Sequence, residues 1–141
     1  MSEVKEKSKG GVITPFDMKF VPKRWGYEIW FTNNELYCGK KLFIRHGKYC
    51  SYHWHEKKDE VLYIESGEIW MNYSDKDGKV RYRHLEQGDA FHVTPGMKHQ
   101  MQAMKDTMIL EFSTQHFDED SYRETTDLVV DHYVDDLEIM R

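Results

Sequence analysis

Along most of the chain, apolar and polar residues alternate in short runs with a period near two, the spacing of side chains on a half-buried strand. The runs are rich in β-branched and aromatic residues and are separated by turn residues. They predict nine strands, at residues 27–31, 36–44, 50–55, 61–65, 68–73, 80–85, 90–93, 98–104 and 108–113. The breaks can be read one by one, from Thr32-Asn33-Asn34 and His46-Gly47 through Ser66-Gly67 and Asp77-Gly78 to Gln87-Gly88-Asp89, Pro95-Gly96 and Lys105-Asp106. Asp77-Gly78 is a strong hairpin signal, because a tight two-residue turn needs φ > 0 at its centre. Short strands with no helical period between them predict an all-β fold, either a closed antiparallel β-barrel or a sandwich.

The two ends depart from this pattern. Residues 1–11 are polar and Lys-rich, end in Gly10-Gly11, and are expected to be a disordered tail. Residues 12–141 are expected to form one domain. After His116, the carboxylates of Asp118-Glu119-Asp120 sit where a helix start favours them. Beyond them Leu128, Val129, Val130, Tyr133, Val134, Leu137 and Ile139 fit either a strand or a helix folding back.

Composition narrows the function classes. Lys and Arg total 20 against 25 Asp and Glu, a net charge of −5, the wrong sign for a nucleic-acid partner held through phosphates. Aromatic residues make up 14% of a chain that is only 39% apolar, which suits a sheet with rings on its half-buried faces. No apolar run approaches the roughly 18 residues of a membrane span, so no membrane partner is expected. The first ten residues are charged with no apolar stretch behind them, so no secretory leader is expected. Cys38 and Cys50 form no disulfide framework and suit a reducing, cytoplasmic setting.

The histidines carry the chemistry. His53 and His55 are two apart, so on a strand they share a face. Glu60 opens the next strand, where a hairpin brings its carboxylate beside both rings, and His99 follows the turn at Pro95-Gly96. Three imidazoles and a carboxylate are suitable ligands for one divalent transition metal ion: Zn, Mn, Fe, Co or Ni. Six-coordinate geometry would leave two adjacent positions for a bidentate substrate or water. A histidine pair alone is a weak motif.

The full spacing is more specific. Gly47, five residues, His53-x-His55, four residues, Glu60, six residues, Gly67 resembles the first motif of the cupin family without a mismatch. Gly88-Asp89, Thr94-Pro95-Gly96 and His99 resemble the second, with Thr94 in place of its first proline and Ala103 where an asparagine is often found. The resemblance covers about residues 40–113, and the barrel core is expected over about 36–113. It implies a jelly-roll barrel in which His53, His55, Glu60 and His99 bind the metal, and in which Gly47, Gly67, Gly88 and Gly96 make tight turns.

The flanks are similar to type II mannose-6-phosphate isomerases. Pro22-Lys23-Arg24-Trp25-Gly26-Tyr27-Glu28 resembles the segment that opens their cupin domain, with Arg24 in place of a proline. Asp118-Glu119-Asp120-Ser121-Tyr122-Arg123 resembles the acidic-then-arginine segment that closes it, while Leu36-Tyr37-Cys38-Gly39-Lys40 and Phe112-Ser113-Thr114-Gln115-His116 are similar to small sugar-pathway cupins. The terminal Tyr-Gly-Arg sequence of those isomerases is absent. So is the nucleotidyltransferase half often fused to them, and guanylyl transfer is not expected.

The resemblance implies a metal-dependent aldose–ketose isomerase acting on a sugar or sugar phosphate through a metal-stabilised enediol. Such chemistry needs a base within reach of the carbon. Glu111 is the expected base, with an outward solvated carboxylate as the other outcome of strand alternation. Lys98 is a further catalytic candidate, although alternation turns it from the face of His99. Tyr52 and Tyr63 are candidate substrate contacts. Arg123 either binds a phosphate or hydroxyl at the mouth or, slightly favoured, pairs with Asp118, Glu119 or Asp120. Lys40, Lys41 and Arg45 read as a solvated basic face. Trp54, on the opposite face from the paired histidines, is a candidate anchor for an expected homodimer. Two other readings stand beside the isomerase: a cupin dioxygenase, and a non-catalytic metal-dependent sugar-binding module.

Overall fold

The computed structural model describes residues 10–124 of the 141-residue chain. Alternation in the sequence becomes alternation in burial. Along β3 (Cys38–Ile44), Cys38, Lys40, Leu42 and Ile44 are buried while the residues between them are half-exposed. The other strands are β1 (Lys19–Lys23), β2 (Gly26–Asn33), β4 (His53–Trp54), β5 (Glu60–Ser66), β6 (Glu68–Ser74), β7 (Val80–Glu86), β8 (Ala90–Val93), β9 (His99–Ala103), β10 (Thr107–Ser113) and β11 (Tyr122–Arg123).

They form two antiparallel sheets, six strands in the order β1-β2-β3-β10-β5-β8 and five in the order β11-β4-β9-β6-β7. Hydrogen-bonded neighbours far apart in sequence, such as β3 with β10, give the jelly-roll topology that the resemblance to cupins implies. Leu42, Ile44, Leu62, Ile64 and Ile109 from the larger sheet meet Ile69, Met71, Leu85 and Met101 from the smaller. Fully burying each such side chain contributes about 1.5–3 kcal/mol. This apolar core fills only part of the interior: Leu42, Cys50 and Met101 are both its boundary and the wall of a cavity.

Three expectations need correction. β1 lies where no strand was expected, because Pro22 interrupts the run; proline is tolerated there since β1 is the sheet edge and has one side without a partner strand. The strand expected at 50–55 shrinks to His53–Trp54, preceded by an isolated bridge between Tyr49 and Gln102. The strand expected from residue 36 starts at Cys38, because the Asn34 side chain accepts the Leu36 and Tyr37 N–H groups in a turn. The acidic segment is a single 3-10 turn, Asp118–Asp120, leading into β11. Most of the expected tail (residues 1–9) and the C-terminal apolar segment (125–141) lie outside the described residues. No helix among those described is long and apolar enough to cross a membrane.

Candidate metal centre and its cavity

β4 consists of two residues, and alternation sends His53 into the cavity and Trp54 away from it. His99 opens β9 directly opposite His53 in register. His55 lies just beyond β4, and Glu60 enters from the other sheet at the start of β5. One ring nitrogen from each of His53, His55 and His99 lies within 4.8 Å of the others.

Each of the three rings is held by its Nδ1. His53 Nδ1 lies 2.7 Å from the Ser51 carbonyl, His55 Nδ1 3.1 Å from that of Asp120, and His99 Nδ1 3.1 Å from that of Met97. A carbonyl can only accept, so each Nδ1 carries the proton and each Nε2 presents a lone pair. Burial keeps the rings neutral. It lowers the pKa of His55 and of His99 to about 3 and, with His99 adjacent, holds that of His53 well below the ordinary value.

Glu60 completes the cluster. Its Oε2 lies 3.4 Å from His55 Nε2 and 3.8 Å from His99 Nε2, and accepts no hydrogen bond although buried. An unsatisfied buried carboxylate oxygen beside three neutral imidazole lone pairs is what a divalent cation would satisfy, so these four residues fit a metal.

The second layer is a buried charge cluster absent from the sequence-based site. Lys58 Nζ lies 3.1 Å from Glu111 Oε2, 3.9 Å from Glu60 Oε2 and 3.2 Å from His116 Nδ1. The shorter contact decides how the two carboxylates share their charge. Burial acts to raise both, but Lys58 and Lys40 overcome it at Glu111 and hold that carboxyl low, whereas burial and the Glu111 charge push Glu60 up. The two carboxylates also outweigh desolvation at Lys58 and keep it protonated. Burial, aided by Lys40 and Lys58, lowers His116 to about 4, so it is neutral; its Nε2–H reaches Asp118 Oδ1 at 3.1 Å.

Asp120 organises this segment. Its carboxylate accepts the N–H groups of Glu56, Lys57 and Lys58 at 3.0–3.2 Å, while its carbonyl orients His55. The acidic segment that reads as a helix start is therefore a clamp on the loop carrying His55 and Lys58.

The centre opens into a cavity of about 420 Å³. Glu111 lines it, so alternation resolves inward; both of its hydrogen bonds, from Lys58 and Ser113, fall on Oε2. Arg123 also lines it, paired in register with His53, and makes none of the expected ion pairs with Asp118, Glu119 or Asp120. Lys98, Tyr52 and Tyr63 do not line it. Lys98 pairs with Glu124 and lies over the Trp54 ring, on the far side of the sheet. Tyr52 is buried outside the cavity lining, and Tyr63 is 37% exposed on the outer face of β5. Trp54 does face away, where it stacks on Tyr122. The basic run is split by alternation: Lys40 is buried in the cavity wall, while Lys41 points outward.

Sequence reasoning missed Lys58, His116 and the Lys19 and Lys23 side chains of β1, all of which line the cavity. Lys58 was within reach, since it is two residues before Glu60 and shares its face. His116 and the β1 lysines come from segments with no strand period around them.

Residues 41–132 match the sequence profile of the family described as Cupin. Among curated proteins there is no match. Among solved structures, the capsular polysaccharide assembling protein CapF of Staphylococcus aureus has a TM-score of 0.67 at 14% identity, over 77% of this chain and 34% of its own. Oxalate decarboxylase of Bacillus subtilis has a TM-score of 0.70 at 16% identity, over 88% and 37% respectively. KdgF of Halomonas sp. has a TM-score of 0.65 at 17% identity, over 79% and 98%. At these identities the likeness is one of fold, and the chain spans about a third of the CapF and oxalate decarboxylase chains it matches.

Proposed function

The chain belongs to the cupin family, and on that premise we propose that it is a metal-dependent enzyme isomerising a small sugar or sugar phosphate between aldose and ketose forms. The carrying observation is the convergence of three Nδ1-anchored histidines and the unsatisfied Glu60 oxygen at one wall of a cavity that Glu111 also lines. His53, His55, His99 and Glu60 would hold the ion, and the Mn(II) centres of the Bacillus subtilis oxalate decarboxylase support a divalent transition metal. When bound, such an ion supplies Lewis acidity toward the carbonyl and hydroxyl oxygens of the substrate.

The protein's own residues supply the rest. Lys58 keeps Glu111 ionised, and no hydrogen bond is made to Glu111 Oε1 among the described residues, so that oxygen is the base that takes the proton from carbon. Lys58, held between Glu60 and Glu111, can donate to a substrate oxygen. The low proton affinity of Glu111 also favours a second reading, a sugar-binding module without turnover.

The expected homodimer is part of this proposal, but not on Trp54, its expected anchor, which stacks on Tyr122 in the five-stranded sheet. The second copy is seated instead on the outer face of the six-stranded sheet. There Phe20, Tyr27 and Phe43 stack at 5.2–5.4 Å, and Phe20 and Phe112 are 60% and 58% exposed. Six strands about 4.8 Å apart span a face wide enough for the roughly 800 Å² per partner of a stable interface. Light scattering that finds a monomer, or a dimer unaffected by Phe20→Glu with Phe112→Glu, would refute this placement.

The function is tested by proton NMR in heavy water, with metal-loaded protein and a panel of aldoses, aldose phosphates and uronates. Loss of a C2–H signal or appearance of a ketose supports isomerisation. Binding without exchange on any of them would move the reading to the binding module.

A further inference from the structure

The cavity carries more positive charge than its chemistry at the histidines requires. Lys19, Lys23, Lys40, Lys58 and Arg123 line it, five cations in a chain whose net charge is −5. Four carboxylates share the lining, and each is already engaged. Glu111 pairs with Lys58 at 3.1 Å, Asp118 with His116 at 3.1 Å, and Glu60 sits in the histidine cluster. Glu28 accepts the Trp30 Nε1–H at 2.8 Å and lies 3.6 Å from Lys40. Asp118 feels the charge of Lys19, but no carboxylate among the described residues lies within ion-pair distance of Lys19 or Lys23. A bound divalent ion would increase the excess.

The arrangement around Trp30 gives that excess a location. Lys40, only 3% exposed, projects inward from β3 with its Nζ 3.9 Å from the centre of the Trp30 ring. Lys19 Nζ lies 4.5 Å from the same ring. Alternation along edge strand β1 turns Lys19 and Lys23 to the cavity side and Phe20 and Pro22 outward. Three ammonium groups thus stand on the sheet that faces the histidines, two of them held by one indole. Field lines in a recess of this kind are focused, and they favour an anion that neutralises the lining.

We propose that the substrate is an acid, and that its carboxylate or phosphate group is held by Lys19, Lys23 and Lys40. The proposal deepens the isomerase reading by naming the substrate class of the same cavity, and it rests on that reading for which end of the molecule reacts. Arg123, a candidate from sequence for this role, lies instead in register with His53.

The test is titration calorimetry on the metal-loaded full chain with D-mannose, D-mannuronate and D-mannose 6-phosphate. At least one acid should bind tenfold or more tightly than mannose, and which acid does so separates a carboxylate from a phosphate ligand. Lys19→Met with Lys23→Met should reduce that preference to about threefold or less with metal content unchanged, as should Lys40→Met. If the buried Lys40 variant fails to fold, the double variant on the edge strand decides. Equal affinity for acids and mannose, binding of neither acid, or a preference that survives the double variant would overturn the proposal. Heavy-water exchange is read separately. Acid-selective binding without exchange sinks only the isomerase reading, and exchange on uncharged sugars with no acid preference sinks only this one.

Discussion

Lys58→Met tests whether one ammonium organises the buried charges. Lys58, Glu60 and Glu111 are 3%, 3% and 4% exposed, and Lys58 is the cation within 4 Å of both carboxylates. Removing one partner of a buried ion pair costs about 3–5 kcal/mol, because the other charge stays buried without compensation. The second carboxylate and the His116 contact place this variant in the upper part of that range. A chain of 141 residues has about 7–20 kcal/mol of stability at ordinary values per residue, so the variant should still fold.

The pH dependence carries a sign. In the native protein the Glu111 pKa is depressed, so its stabilisation is present above the ordinary carboxylate range and is lost as pH falls through the folded value. Without Lys58, burial dominates and raises the folded pKa. The variant then takes up a proton on folding, and its deficit shrinks as pH falls, by up to about 1.4 kcal/mol per unit for one proton. Urea unfolding followed by tryptophan fluorescence, in chelator at pH 8 and pH 5, measures both effects. Lys58→Met with Glu111→Gln should recover part of the loss. A cost below about 1 kcal/mol at pH 8, or one that grows toward pH 5, would refute the assignment.

Other changes probe the centre and the fold. His53→Ala with His55→Ala should abolish metal content by elemental analysis while far-UV circular dichroism stays native; full occupancy would refute the ligand assignment. Asp120→Ala frees three backbone N–H groups and loosens His55, and should weaken metal affinity about 10–100-fold in a chelator competition. Glu60→Gln should weaken metal binding yet stabilise the metal-free protein at high pH, where its raised pKa makes the buried carboxylate costly. That gain should shrink as pH falls toward the ordinary carboxylate range, and thermal melts at pH 9 and pH 5 read it. Gly67→Ala should cost about 2 kcal/mol or more by urea unfolding, since Gly67 has φ +95° and a Cβ there would lie 2.4 Å from Thr107 Oγ1.

Local pattern by itself was enough for the all-β class and most strands, and the resemblance to cupins added the candidate metal ligands. The convergence of His53, His55, Glu60 and His99 was legible because a period of two and tight turns convert sequence spacing directly into shared faces, and the cupin-like spacing then selected one set. The same period gave Lys98 its outward direction correctly. It could not choose a face for Glu111, since nothing local says which side of β10 is the interior.

The tertiary structure decided everything that depends on strands distant in sequence. Glu111 became an ion-paired cavity residue only because β10 lies between β3 and β5, which places Lys58 beside it. Lys40 left the solvated face assigned to it because Trp30 and Glu28 of β2 receive it inside. Tyr52 and Tyr63, close to the motif in sequence, ended outside the cavity, and β1 joined it from beyond the motif. The physical reason is that charge pairing, burial and cavity shape are fixed by contacts between sheets. Those contacts follow from how the strands are ordered in space, which a two-residue period does not contain.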